Sequence, residues 1–432
     1  SAMSELGWKY LTPEDKAAIL RGIEDGVAYG GPYHVEFHPA DRCNIDCFFC
    51  STAALRGTDE IPMPRFEELL GELREAGTRA IRLSGGGEPL FHRSIKAFLQ
   101  AIGTSGIPIE NLTTNAVLLR PENVELLLPV CDQVTVSLNT GDESTYASMM
   151  KTNPRNFQRV VDNVKHLVAE KRKRRQKTPL VNLQFLVWKE NYKGIPEMYR
   201  LAREIGVDTI LFNGLSFLTP EQQMTPAETE EMMGLYEEVV LVDGYRKIMC
   251  INSFEQDLSK HLEAMHQRVG ARYGRMSLPR RAARLLLRND FTLSEKVDHI
   301  RKRLDRRKLD RANWGLDSYC LIGWHSMLVR TTGMVAPCCI LQGKELGNVY
   351  RQSVRDVWHG EAFQQFRREL SRILREKSSW EHDPSTDRTV DGMCGTKGAC
   401  PIATFYYWPD SRFMRSFNES VRRLDELGDA AA

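Results

Sequence analysis

Residues 42–50 read Arg42-CNIDCFFC and place Cys43, Cys47 and Cys50 in a C-x3-C-x2-C spacing, with Phe49 just ahead of the last cysteine. Three thiolates on one short loop can hold three corners of a cubane iron–sulfur cluster. A cluster with a complete protein shell takes four cysteines. One iron is therefore left open for a substrate or cofactor, as a catalytic zinc with three protein ligands keeps an open position. Two plainer readings stand beside this one. A C-x2-C pair serves structural zinc sites when a second pair lies elsewhere. A free buried cysteine is common and inert.

Working outward, Tyr33-HVEF alternates in polarity and predicts a strand leading into the cysteine loop. Residues 13–26 predict a helix before it, opened by Pro13 and closed near Gly26. Beyond the loop, strand and helix alternate. Helices are expected at 64–76, 95–102, 122–128, 156–170, 194–205 and 226–240. Strands are expected at 79–83, 107–113, 133–138, 181–187 and 209–212. Six strand–helix units with short connections imply parallel strands and right-handed crossovers. The fold class is thus α/β, an open (β/α)6 barrel, with its chemistry at the carboxyl ends of the strands.

Three more stretches fall at such strand ends. Ser84-GGGEPL-Phe91 closes the second strand, Thr113-Thr114-Asn115-Ala116 the third and Val134-Thr135-Val136-Ser137-Leu138-Asn139 the fourth. Glycine lacks a Cβ, so Gly85, Gly86 and Gly87 permit close backbone approach. Pro89 cannot donate to a ladder and ends the strand. Asn and Ser also favour turns in their own right.

Taken with the cysteine triplet and its aromatic residue, these stretches resemble, in order, the signature of the radical S-adenosylmethionine (AdoMet) superfamily, over roughly residues 33 to 240. The resemblance implies that Cys43, Cys47 and Cys50 hold a 4Fe–4S cluster whose open iron is chelated by the amino and carboxylate groups of AdoMet. It implies that Gly85, Gly86, Gly87 and Glu88 meet the methionyl end, and that Asn115, Ser137 and Asn139 are candidate AdoMet contacts. Gln184, within LVNLQFLV, is a further candidate pointing into the barrel; Asn191 reads as a turn residue. The implied chemistry is reductive cleavage of AdoMet to a 5′-deoxyadenosyl radical, which takes a hydrogen atom from an unactivated carbon. A flavodoxin- or ferredoxin-type donor is the implied electron source.

The carboxyl-terminal part holds a second cysteine set. Cys320 is followed by Gly333, Met334-Val335-Ala336-Pro337-Cys338, Leu346-Gly347-Asn348-Val349 and Val357-Trp358, then by Cys394 and Cys400. This resembles the SPASM/twitch domains that follow many radical AdoMet barrels. A full SPASM domain carries seven cysteines, and here Asp391 stands where one partner of Cys394 belongs. The resemblance therefore implies a small cysteine-rich α+β twitch-like domain with one auxiliary 4Fe–4S cluster on Cys320, Cys338, Cys394 and Cys400. Cys339 could replace Cys338, and four cysteines also suit zinc. The expected organisation is a helical extension at 1–32, the barrel at 33–245, a basic helical linker at 246–312 and the auxiliary domain at 313–432. Cys131 reads as a small core residue. Cys250 is the candidate hydrogen-atom donor to a substrate radical, as in radical epimerases; the plainer reading is a packed buried thiol.

Composition bounds the rest. The chain has 432 residues, 42% of them hydrophobic, and a formal net charge of +2, ordinary for a globular protein. No apolar run is long enough to span a bilayer. SAMSELGWKYL shows no secretory signal, and Ser1-Ala2 ahead of Met3 reads as a cleavage remnant. Ten cysteines without such a signal point to metal or redox use in a reducing cytoplasm. Residues 268–311 hold twelve Arg and three Lys against five acidic residues, favouring an anionic partner. Lys171-RKRR-Gln176 reads as a solvated turn after a helix. A small sugar-, cyclitol- or nucleotide-like substrate is expected, undergoing dehydrogenation, epimerisation or dehydration. Maturation of a ribosomal peptide is the alternative, although the 42 residues ahead of Cys43 are too few for an N-terminal peptide-binding module. RNA modification is a second alternative, disfavoured because aromatic residues are sparse among the arginines.

Overall fold

The structure is a computed structural model and describes residues 10–214, 222–243, 249–253, 322–339 and 341–376. Its centre is one ten-stranded sheet in the order β10-β9-β8-β1-β2-β3-β4-β5-β6-β7. The strands are β1 His34–Phe37, β2 Ala80–Leu83, β3 Ile109–Thr114, β4 Gln133–Ser137, β5 Leu180–Val187, β6 Thr209–Gly214, β7 Met249–Ser253, β8 Ser326–Val329, β9 Met334–Ala336 and β10 Gly347–Asn348. Strands β1 to β6 are the six expected ones, all parallel, and helices follow them as α/β crossovers require.

The helices are α1 Pro13–Asp25, α2 Met63–Glu75, α3 Ile95–Ser105, α4 Pro121–Leu127, α5 Glu143–Met150, α6 Arg155–Lys173, α7 Ile195–Ile205, α8 Pro226–Asp243, α9 Ile322–His325, α10 Val354–Trp358 and α11 Glu361–Glu376. The parallel α/β barrel architecture is thus borne out. The sheet also runs further than six strands. β7 pairs parallel to β6, and β8 pairs parallel to β1 at the opposite edge. The carboxyl-terminal hairpin β8–β9 is therefore built onto the barrel sheet itself.

Parallel sheets covered on both faces usually carry continuous apolar runs. Here β3, β4 and β6 are buried along nearly their whole length, while β5 alternates over its second half. In β5, Val181, Leu183 and Phe185 are fully buried, whereas Gln184 and Leu186 are half-buried. In β1, Phe37 packs edge-on to Phe66 of α2, which in turn stacks on Phe98 of α3. One face of the sheet buries against helices. The other carries Glu36, Arg82, Ser137 and Gln184 and lines the open side of the barrel.

Candidate functional site

The cysteine loop leaves the carboxyl end of β1 and is gripped from three sides. Gly87 N–H donates to Ala40 O at 2.9 Å, and Glu88 N–H to Arg42 O at 2.9 Å, tying the loop to the end of β2. His38 N–H donates to Val329 O at 3.0 Å, tying it to β8. Asp46 and Phe48 donate their N–H groups to Met150 O and Met149 O, the free carbonyls at the end of α5. Helix α5 starts at Asp142, whose carboxylate accepts from Thr145 N–H, and stops at Lys151 in the left-handed region, φ 44°.

Cys43, Cys47 and Cys50 are all half-buried and unbridged. Asn115 Nδ2 donates towards Cys43 Sγ at 3.8 Å. Cys47 Sγ lies 3.6 Å from Met150 Sδ, and Cys50 Sγ 3.2 Å from Thr52 Oγ1. Thr52 spends its hydroxyl proton on Gly86 O at 2.8 Å. Burial pushes the Cys43 and Cys47 thiols up, Cys47 to about 12, with the neighbouring sulfurs adding to the rise at Cys47. The Arg56 guanidinium, anchored on Ile45 O and Asp46, opposes that rise. Loading these thiols with metal must therefore release protons.

Three soft thiol donors on one loop suit an iron–sulfur cluster. Among the described residues no three Cys, His, Asp or Glu side chains close around one ion, as short zinc–sulfur bonds of about 2.3 Å would require. Nor does a fourth such ligand join the trio among those residues.

The glycine stretch is held by steric need. A Cβ on Gly87 would sit 2.0 Å from Arg42 O, and one on Gly86 2.7 Å from Asp41 Oδ1. Both contacts are with the cysteine loop, so the glycines let the end of β2 lie flush against it. Glu88 is buried, and its carboxylate accepts from Thr114 Oγ1 at 2.6 Å, Asn115 N at 2.8 Å and Leu90 N at 3.1 Å. Burial pushes this carboxyl up to about 7 against those three hydrogen bonds. Asn115, besides Cys43, reaches Asn44 Oδ1 at 2.9 Å. Glu88 and Asn115 thus form one brace from β2 through β3 to the cysteine loop.

Ser137 and Gln184 are register partners on β4 and β5, with Ser137 Oγ 3.4 Å from Gln184 Oε1. Asn139 is fully buried at φ 63°; its Oδ1 accepts from Leu186 N at 3.0 Å, and its Nδ2 lies 3.8 Å from Met150 Sδ. Asn191 is a brace, donating to Leu186 O and Asn139 O. The site is thus a loop of three cysteines beside a polar wall of strand ends, and it unites Gly85–Gly87, Glu88, Asn115, Ser137, Asn139 and Gln184. Cys250 stands in register with Ile210, Leu183 and Val136, the line next to that of Ser137 and Gln184.

Of the second cysteine set, Cys338 is buried and accepts from Leu341 N–H at 3.4 Å, and Cys339 is half-buried. Cys320, Cys394, Cys400 and the basic run 268–311 lie outside the described residues. Cys131 is a core residue, its thiol on Gln133 O at 2.9 Å. The basic run is not the solvated turn expected: Lys171, Arg172 and Lys173 form the last turn of α6, where Lys171 is buried and pairs with Asp208 at 2.7 Å, and Arg174, the cap residue, pairs with Glu125.

Sequence reasoning missed the inner-wall charges. Glu36 accepts from Ser84 Oγ and lies 3.5 Å from His38 Nε2. Burial alone would raise its carboxyl, but His38, the Arg82 guanidinium and Ser84 outweigh it and hold it at about 2. Deeper in, His34 pairs with Glu110 and stacks on His325 with ring centres 5.5 Å apart. The signal was the alternate polar residue in HVEFH. Met150 and Arg56, which flank the thiols, carried no signal.

The radical SAM superfamily model matches residues 37–202, and the iron–sulfur cluster-binding SPASM domain model matches residues 320–382. The chain is similar to the probable GTP 3′,8-cyclase of Methanothermobacter marburgensis, 34% identical over 106 residues, or 24% of this chain and 34% of that protein. It is similar to the GTP 3′,8-cyclase of Rhodopirellula baltica, 32% identical over 130 residues, or 29% of this chain and 35% of that protein. The chain thus spans about a third of the length of these curated relatives. In fold it is similar to Streptococcus suis SuiB bound to S-adenosylmethionine, with TM-score 0.54, 16% identity and coverage of 82% of this chain and 71% of that one. It is also similar in fold to anSMEcpe with bound AdoMet and the Cp18Cys peptide, with TM-score 0.51, 13% identity and coverage of 92% and 99%.

Proposed function

We propose that this chain, a radical S-adenosylmethionine enzyme with a carboxyl-terminal SPASM iron–sulfur domain, modifies a small sugar-, cyclitol- or nucleotide-like molecule by hydrogen abstraction from carbon. Cys43, Cys47 and Cys50 hold the 4Fe–4S cluster, and Gly85–Gly87, Asn115, Ser137 and Gln184 receive AdoMet beside it. The bound cluster and AdoMet supply a 5′-deoxyadenosyl radical when a flavodoxin- or ferredoxin-type donor delivers an electron. One auxiliary 4Fe–4S cluster sits on Cys320, Cys338, Cys394 and Cys400.

The observation that carries the reading is the inner wall next to the cysteine loop. Glu36, Ser84, Thr113 and Ser137 are half-buried there at or near the ends of β1 to β4, with Gln184 half-buried in the middle of β5. Such a wall offers hydrogen-bond acceptors and hydroxyls to a hydroxyl-rich ligand and orients one C–H bond while limiting access of water. The similarity to GTP 3′,8-cyclases supports the nucleotide-like end of the range.

The test uses label transfer. The reconstituted, reduced protein is given AdoMet with GTP deuterated in its ribose, then with a panel of deuterated sugars and cyclitols. Deuterium in 5′-deoxyadenosine from one of these compounds supports the reading. Label arriving only from a peptide or an RNA would overturn it.

A further inference from the structure

We propose that Asp41 is a positioning residue through which the carboxyl-terminal hairpin sets the cysteine loop for AdoMet binding. The inference rests on the reading that this loop carries the AdoMet cluster.

Asp41 lies two residues before Cys43 and is 3% exposed. Its Oδ2 accepts from Thr331 Oγ1 at 2.7 Å, and Thr331 is itself buried in the turn between β8 and β9. Tyr350 holds the same turn, its hydroxyl donating to Thr331 O at 2.7 Å. Arg330, the residue before Thr331, brings its guanidinium 3.9 Å from Asp41 Oδ1.

The other side of Asp41 presses on the glycine stretch. Among the described residues Oδ1 has no hydrogen-bond partner, and it stands 2.7 Å from where a Cβ on Gly86 would be. The carbonyl of Asp41 stands 2.6 Å from the corresponding place on Gly87. Asp41 is thus wedged between the hairpin turn and the backbone that underlies the cysteines. Among the described residues the Thr331 hydroxyl is the one side chain that hydrogen-bonds the Asp41 carboxyl group. Removing that hydroxyl leaves a buried carboxyl oxygen without its donor, and the loop loses its hydrogen bond to the hairpin turn. Seven residues past Thr331 the same hairpin reaches Cys338. The auxiliary domain and the AdoMet cluster are therefore mechanically joined through this contact, beside the His38 N–H bond to Val329 O.

The experiment compares reconstituted wild type with Thr331→Val, Thr331→Ser and Arg65→Ala. Arg65 is the control because it docks the same carboxyl-terminal segment elsewhere, its Nε donating to Val349 O at 2.8 Å. The readouts are iron content, the EPR spectrum of the reduced cluster with and without AdoMet, and AdoMet affinity. Thr331→Val is expected to keep its iron, lose the wild-type AdoMet-dependent EPR shift and bind AdoMet about tenfold more weakly, the effect of losing a buried hydrogen bond. Thr331→Ser should restore both, and Arg65→Ala should match wild type. A Thr331→Val protein equal to wild type, or an Arg65→Ala protein impaired to the same extent, would overturn the inference. Wild type without any AdoMet-dependent EPR shift would instead remove the cluster reading beneath it.

Discussion

Asn115 presents its side-chain amide to the sulfur of Cys43, with Nδ2 3.8 Å from Sγ. Hydrogen bonds to ligand sulfurs stabilise the reduced, more negative form of a cluster and raise its potential. Asn115→Ala should therefore lower the midpoint potential of the AdoMet cluster while iron content stays the same. An EPR-monitored redox titration reads this, and an unshifted midpoint would refute it.

The same substitution at two glycines should act with opposite signs. Gly71 lies inside α2 with nothing within 4 Å of a new Cβ. Gly71→Ala should stabilise by about 0.5–1 kcal/mol through helix propensity. Gly87→Ala forces a Cβ to within 2.0 Å of Arg42 O and 2.4 Å of Arg42 C, which are backbone atoms. It should cost about 3 kcal/mol or more and deplete bound iron. Thermal unfolding and iron analysis of the two proteins decide the matter.

Acid should act through Glu36. Its carboxyl is held at about 2 in the fold against an ordinary value of 4.5. A depressed carboxylate contributes stability that is present above the unfolded value and is lost as pH falls through the folded one. The chain should lose about 3 kcal/mol through Glu36 between pH 4.5 and 2. Glu36→Gln should show a flatter acid limb in denaturant melts across that range. Parallel limbs for the two proteins would contradict the assignment.

Cys250 gives a sharper alternative. Its register line is that of Val136, Leu183 and Ile210, all fully buried, and not that of Ser137 and Gln184. Cys250→Ala should therefore leave turnover and the stereochemistry of the product unchanged. Loss of product with continued 5′-deoxyadenosine formation would establish it as the hydrogen-atom donor after all.

Much of this architecture was legible in the chain. The period-2 pattern within LVNLQFLV and the short apolar run TILF mark strands, and Pro and Gly punctuate the helices, because local backbone preference and burial agree there. Helix α5 was not legible: Tyr146, Met149 and Met150 supply its apolar contacts in a short run without a long amphipathic repeat. Yet its end carbonyls hold the cysteine loop. The pairing of β8 with β1 was hidden for another reason. It joins residues nearly three hundred positions apart, and no local signal encodes such a partner. Glu88 shows a third limit. Its type announces an acceptor, but only the fold shows that Thr114, Asn115 and Leu90 already donate to it.

The central claim is that Cys43, Cys47 and Cys50 leave one iron open to AdoMet. The most direct measurement is EPR of the anaerobically reconstituted, dithionite-reduced protein before and after AdoMet addition, with 5′-deoxyadenosine assayed in the same samples. The account predicts a changed cluster signal on AdoMet addition, 5′-deoxyadenosine as product, and loss of both when the three cysteines are replaced by alanine. An unchanged signal, or 5′-deoxyadenosine formed equally well without the three thiols, would contradict it.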